Sequence, residues 1–183
     1  LSHLIHLTMV RIVLAASLVG AVSAKTYARG FQRMPRNGPV EIAEITDEMR
    51  AAVPDSLDWS TKGATTPVKA QGNCGSCWAY SATEGIESGL FMTTGTLEEL
   101  SEQQVISCDK DDLGCNGGDL PTAFDYVKSA GGIDTEADYK DTSASSGRTG
   151  SCKSFKKKAM LTGWKYAIPP CDSGHARTRR SPT

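Results

Sequence analysis

Three helices followed by a single strand, half of an α+β architecture, are predicted by two features of the sequence. Three segments with helical spacing and helical end signals lie between residues 76 and 131, and one run rich in branched and aromatic residues follows at 159–168. The helices come first and the strand last, so the strand–helix–strand alternation of a parallel sheet is missing.

The first helix begins at Ser76 or Cys77. Trp78, Ala82, Ile86 and Leu90 recur every four residues, Gly85 and Gly89 allow close packing, and Gly95 ends the segment. The second helix opens in "LSEQQVISC", where Ser101 and Gln104 are spaced as a capping box. The third covers "PTAFDYVKSAGG", with Pro121 suited to a first turn and Gly131 to a stop. Between this helix and the strand lies "DTSASSGRTGS", which reads as a loop of small polar residues. The run "AMLTGWKYAI", Ala159 to Ile168, reads as a strand.

Upstream, Lys25 to Val53 is polar and broken by "MPRNGP", with "VEIAEITDEMRAAV" able to form a short helix. From Pro54 the texture becomes compact and glycine-punctuated, and "LDW" at Leu57 to Trp59 marks the start of a folded unit.

Composition narrows the partners. In 183 residues, 39% are apolar and 22% charged, enough for one modest core. A net charge of -1 supplies neither the basic field that nucleic acid requires nor a strongly acidic one. Residues 9–24, "MVRIVLAASLVGAVSA", place Arg11 before an apolar run and a small-x-small ending, the layout of a cleavable secretory signal that is too short to span a membrane. Translation is therefore expected to begin at Met9, with residues 1–8 a gene-model extension.

Export changes how the six cysteines read, because thiols pair in an oxidising compartment unless something keeps one free. A zinc clip needs two close pairs, whereas Cys74 and Cys77 are followed by Cys108 and Cys115 at a wide gap. Cys77 sits where the loop "GNCGS" passes into the first helix. Unpaired backbone N–H groups and the positive end of the helix dipole surround its sulfur, a setting that suits a nucleophilic thiolate. The amide of Gln71 and the Cys77 N–H together would make an oxyanion hole. The spacing C-x-x-C alone also fits a redox pair.

The stretch "QGNCGSCWAY" resembles the active-site segment of the papain and cathepsin family of cysteine peptidases. "VPDSLDWSTKGATTPVKAQ", "LSEQQVISCDKDDLGCNGGDL" and "GGIDTEADY" extend the resemblance in order from Pro54 to Ile168. The resemblance implies a helical lobe facing a β-barrel lobe across a cleft, of which this chain would hold the first lobe and the opening part of the second. It implies Cys77 as nucleophile and Gln71 as oxyanion donor. It also implies disulfides Cys74–Cys115 and Cys108–Cys152. Asn116, Gly117 and Gly118 would line the cleft and pair with an extended peptide, while Asp119 and Leu120 would lie beside the pocket for the residue two before the cut. The residues themselves leave Gly117 and Gly118 open to a plain tight-turn reading, Trp78 to a core-anchor reading, and "KSFKKK" to a solvated face.

Other parts of the family pattern are not met. The family's histidine and asparagine lie about 130–150 residues after the cysteine, past residue 183 of this sequence. His3 and His6 precede the signal, and His175 stands in "DSGHARTRRSPT", which fits no catalytic context. The expected divisions are 1–8, the signal 9–24, a short pro-segment or linker 25–53, the helical lobe 54–158, the first barrel strand 159–171 and an aberrant basic tail 172–183, with a frameshift near an unpartnered Cys171. Residues 25–53 are too short for the family's long helical inhibitory propeptide.

The function expected is a secreted, lysosomal or vacuolar thiol peptidase acting through an acyl-enzyme on Cys77, inactive in this truncated form. It would be a monomer needing no cofactor or metal, acting on peptide or protein substrates, open to protein inhibitors, and with no role for nucleic acid or a membrane span. A non-catalytic peptide- or inhibitor-binding fragment and a thiol–disulfide redox protein are the alternatives.

Overall fold

The computed structural model describes residues 30–36 and 40–170. The stretch 9–24 expected to be a signal, the first eight residues, Cys171, residues 172–183 and all three histidines fall outside these residues. The described helices are α1 (Asp47–Ala51), α2 (Cys77–Thr94), α3 (Glu102–Cys108), α4 (Leu120–Ala130) and α5 (Ser143–Ser146), with a 3-10 turn at Gly114–Asn116 between α3 and α4.

Helix α1 falls within the leading stretch expected to be helical, and Thr46 caps it by accepting from the Met49 N–H. Helix α2 ends on Gly95, whose left-handed φ of 76° lets its N–H reach the Phe91 carbonyl at 2.8 Å. Its Trp78, Ala82 and Ile86 face the core as their spacing indicated, and Ala79, Thr83 and Glu87 are buried beside them. Gly85 provides the close approach, because a methyl group there would touch the Phe124 ring of α4 at 3.7 Å. A methyl group on Gly89 would meet nothing within 4 Å beyond its own helix, so the close approach expected there is not used.

Helix α3 is buried along its whole length, including Glu102, Gln103 and Gln104. Only half of the expected capping box forms. Ser101 Oγ accepts from the Gln104 N–H at 3.0 Å, but the Gln104 side chain turns inward, accepting from the Asp134 N–H and donating to Tyr126 Oη and the Gly132 carbonyl. The Ser101 N–H goes to the Asp134 carbonyl instead. A buried glutamine satisfied at both ends has no free atom left for the cap. Helix α4 is capped by Asp119, carries Pro121 in its first turn and stops at Gly131 with φ 76°, as the sequence indicated.

Two expectations are corrected. The small polar loop at 141–151 contains α5, because Ser143 is buried and donates to the Arg148 carbonyl, folding the segment on itself. The strand expected over 159–168 is reduced to two single bridges, Ala159 with Ile133 and Tyr166 with Ile42. Between them Leu161 packs against the core and Trp164 against α4, its ring centroid 5.7 Å from that of Phe124. The core gathers Trp78, Ala79, Ile86, Leu100, Val105, Ile106, Ala123, Val127 and Ile133 where α2, α3 and α4 meet. "KSFKKK" lies on the surface, with its four lysines exposed.

Candidate active site

Cys77 is the first residue of α2, half-buried, and the free cysteine among the described residues. No acidic side chain occupies the first turn of α2, so nothing there opposes an anion at the helix start. The preceding loop is fixed from several sides. Cys74 is bonded to Cys115, the Gly75 N–H donates to the Cys115 carbonyl at 2.9 Å, and the Asn73 N–H donates to the Ala144 carbonyl. With Cys74 held by Cys115, the redox pairing of Cys74 with Cys77 is overturned. The second disulfide joins Cys108 at the end of α3 to Cys152. The Gln71 amide donates to the Cys74 carbonyl at 2.7 Å, which anchors it on the loop that leads into Cys77.

The glycine edge faces the same point. Gly117 has φ 121°, a region that favours glycine. Gly118 is required by space instead: a methyl group there would stand 2.6 Å from both Trp78 Cδ2 and Asp112 Oδ1. Trp78 is 1% exposed and its indole donates to the Gly114 carbonyl, so it is a core anchor tying the start of α2 to the glycine turn. Asp112 supports the edge from behind, accepting from the Asp119 N–H at 2.9 Å and from Thr122 Oγ1 at 3.0 Å. Asp119 Oδ1 accepts from the Leu120 N–H as the cap of α4. Asn116 is exposed, and Asp119 and Leu120 are half-buried beside it.

A stretch of this chain's own backbone lies on that edge. The Gly118 N–H donates to the Gly30 carbonyl at 2.8 Å and the Gln32 N–H donates to the Gly118 carbonyl at 2.9 Å, a parallel pairing centred on Phe31. Gln32 Nε2 also donates to the Asn116 carbonyl, and the Met34 N–H donates to Asp119 Oδ2 at 3.4 Å. Gly30 is buried against Cys77, since a methyl group on it would stand 2.8 Å from Cys77 Sγ. The described part of the leading segment lies on the glycine edge as extended backbone, through the single bridge of Phe31 with Gly118. Sequence reasoning missed this, although "RGFQ" carries the small residue that a contact with the thiol requires.

Burial shapes the charges around the site. Asp109 and Asp112 are both buried, and each keeps one oxygen without a partner among the described residues. Desolvation pushes Asp109 up to about 7, reinforced by Asp112 beside it, and raises Asp112 as well. Beneath α2, Lys69 Nζ stands 2.8 Å from Glu87 Oε1 and 2.6 Å from Glu102 Oε1.

Residues 53–169 match the papain family cysteine protease domain. The chain belongs to this family. "Cysteine proteinase 1" of Zea mays is 42% identical over 129 residues, which is 66% of this chain and 34% of that protein. "Procathepsin L" of Rattus norvegicus is 47% identical over 103 residues, 55% of this chain and 30% of that one. The chain thus spans about a third of the length of the curated relatives it matches. Among solved structures, the "Recombinant stem bromelain precursor" superposes with a TM-score of 0.65 at 35% identity, covering 76% of this chain and 43% of that one. The fold is therefore papain-like, helix-rich in the described residues and partial relative to the relatives' length, and no described helix is long and apolar enough to cross a membrane.

Proposed function

We propose that this chain carries the nucleophile and the peptide-binding edge of a papain-type peptidase. The observation that supports this most directly is a backbone already lying on Gly118 with its Gly30 against Cys77 Sγ. A substrate peptide taking that edge brings a carbonyl carbon to the sulfur. Attack gives a tetrahedral intermediate whose oxyanion is received by the Cys77 N–H and the second N–H of the Gln71 amide, and its collapse expels the amine and leaves an acyl-enzyme for water to hydrolyse. An imidazole must take the thiol proton and pass it to the leaving amine. The described residues contain no histidine, so that step is not assigned to them.

The role of Asn116, Gly117 and Gly118 in this reading is to supply backbone to the peptide, and that of Asp119 and Leu120 is to border its side-chain pocket. Residues 25–53 act as a short pro-segment that keeps the edge occupied. The substrates are peptides or proteins, with protein inhibitors of thiol peptidases as further partners, and the working form is a monomer without a cofactor. The compartment is extracellular, lysosomal or vacuolar, in keeping with two disulfides and one free thiol among the described residues.

The test is to incubate the full 183-residue chain with a peptide bearing a thiol-directed epoxide and to map the adduct by mass spectrometry. Covalent label on Cys77, absent from Cys77→Ser, is expected. Binding without label would replace the peptidase reading with that of a non-catalytic binding fragment.

A further inference from the structure

The leading segment ends its course along the cleft in a contact that the peptide edge does not explain. Arg36 Nε donates to Asp125 Oδ2 at 3.0 Å, and Nη2 stands 2.9 Å from the same oxygen as an ion pair. The guanidinium carbon lies 4.6 Å from the centroid of the Trp164 ring. The indole N–H of Trp164 donates to the other carboxylate oxygen, Asp125 Oδ1, at 2.9 Å.

The receiving half of this contact is built without Arg36. Trp164 is wedged between Phe124 at 5.7 Å and Tyr166 at 5.1 Å, edge-on to the latter. Its hydrogen bond holds the carboxylate of Asp125 at the edge of the ring, with one oxygen left facing outward. A planar aromatic floor with a carboxylate at its rim matches a guanidinium group: the fork reaches the oxygen while the flat face stacks on the ring. An ammonium could satisfy the charge but not the stack. The open cavity alongside is lined by Glu41, Lys128 and Lys165 besides Arg36 and Asp125. With Arg36 withdrawn, the two carboxylates and two ammonium groups there balance, so selectivity would come from the fixed Asp125–Trp164 pair and not from a long-range field.

We propose that Asp125 and Trp164 form a guanidinium-binding site that, once Arg36 vacates it, takes an arginine side chain of a peptide lying along the cleft. The expected arginine stands five positions from the residue on Gly118, as Arg36 does from Phe31, a span of roughly 16 Å in extended chain. The proposal rests on the peptidase reading only in making the ligand a cleft-bound peptide; the site itself is independent of Cys77.

The experiment uses the full chain with Arg36→Gln and follows the indole N–H signal of Trp164 by NMR, assigned with Trp164→Phe. N-acetyl-arginine amide is titrated against its neutral isostere, N-acetyl-citrulline amide. The arginine probe is expected to shift the signal saturably and at least about fivefold more tightly than citrulline, with the difference lost in Asp125→Asn. Equal response to both probes, or no saturable shift, overturns the site. If Arg36→Gln does not fold, the wild-type chain is titrated and the Nε–H signal of Arg36 is read: displacement by arginine and not citrulline supports the site, and equal displacement or none overturns it. Cys77 labelling with no selective shift removes this site alone, whereas a selective shift without Cys77 labelling removes the peptidase reading alone.

Discussion

Gly30 lies against Cys77 so closely that a single methyl group on it would stand 2.8 Å from the sulfur and 2.6 Å from the Gly75 carbonyl oxygen. The second of these contacts is to backbone and cannot yield by a rotamer change. Gly30→Val is therefore expected to lift the leading segment from the thiol at a cost of about 1–3 kcal/mol. The measurement is the rate of Cys77 alkylation by iodoacetamide, which should rise about tenfold over wild type. An unchanged rate would show that the segment does not guard the sulfur in solution.

Asp109 and Asp112 predict a pH dependence. A carboxyl whose pKa is higher folded than unfolded keeps its proton in the native state where the unfolded chain has already lost it. Stability then falls as pH rises from about 4 to about 7, the value to which burial pushes Asp109. The groups facing the pair are Asp111 and Asp119 together with the Thr122 hydroxyl. Asp112→Asn keeps an oxygen for the Asp119 N–H and Thr122, and supplies an amide that can donate to Asp109. The drop in urea midpoint between about pH 5 and about pH 8 should roughly halve in this variant. It should not vanish, because Glu102 is also pushed up to about 7 by its burial, against the pull of Lys69.

Much of this site was legible because its signals are local. The stop of α2 at Gly95 and the limits of α4 each depend on a few neighbouring residues, and each appears where it was expected. The bonding of Cys74 to Cys115, which leaves Cys77 free, was implied by the family resemblance and not by the spacing of the two cysteines. The pairing of the leading segment with the cleft was not legible, since Gln32 and Asn116 are 84 positions apart and share only backbone and amide chemistry. Helix α3 was legible from its cap, but the burial of Gln103 and Gln104 was not, because it rests on hydrogen bonds to distant segments, those of Gln103 being to Thr142, Ser143 and Thr149. The strand at 159–168 has the right composition, but strand character is conferred by partners, and only single bridges reach it among the described residues.

Lys69 is the next point of leverage. Burial pulls its ammonium down, yet hydrogen bonds to Glu102 and Glu87 more than restore it, leaving it raised. Glu87 also accepts from the Leu100 N–H and Thr66 Oγ1, so it cannot leave the interior without releasing the start of α3. Lys69→Met would strand two carboxylates and should lower stability by about 3 kcal/mol. Adding Glu102→Gln should recover part of that loss, and urea denaturation of the single and double variants reads both numbers. Recovery would be absent if Lys69 acts only by filling space.

Gly118 carries the last prediction. Its φ is not in the left-handed region, so alanine meets no backbone strain there. The obstacle is the 2.6 Å approach to Trp78 Cδ2 and Asp112 Oδ1, two groups that are themselves fixed, the first by the Gly114 carbonyl and the second by Asp119 and Thr122. Gly118→Ala must push the edge outward, away from α2, and should cost about 1–3 kcal/mol. The displaced edge can no longer exchange its hydrogen bonds with Gly30 and Gln32, so amide exchange at Gln32 and Gly118 should quicken together while exchange within α2 stays slow. If Gly118→Ala loses stability while both amides stay protected, the glycine serves only the core and the edge tolerates a side chain.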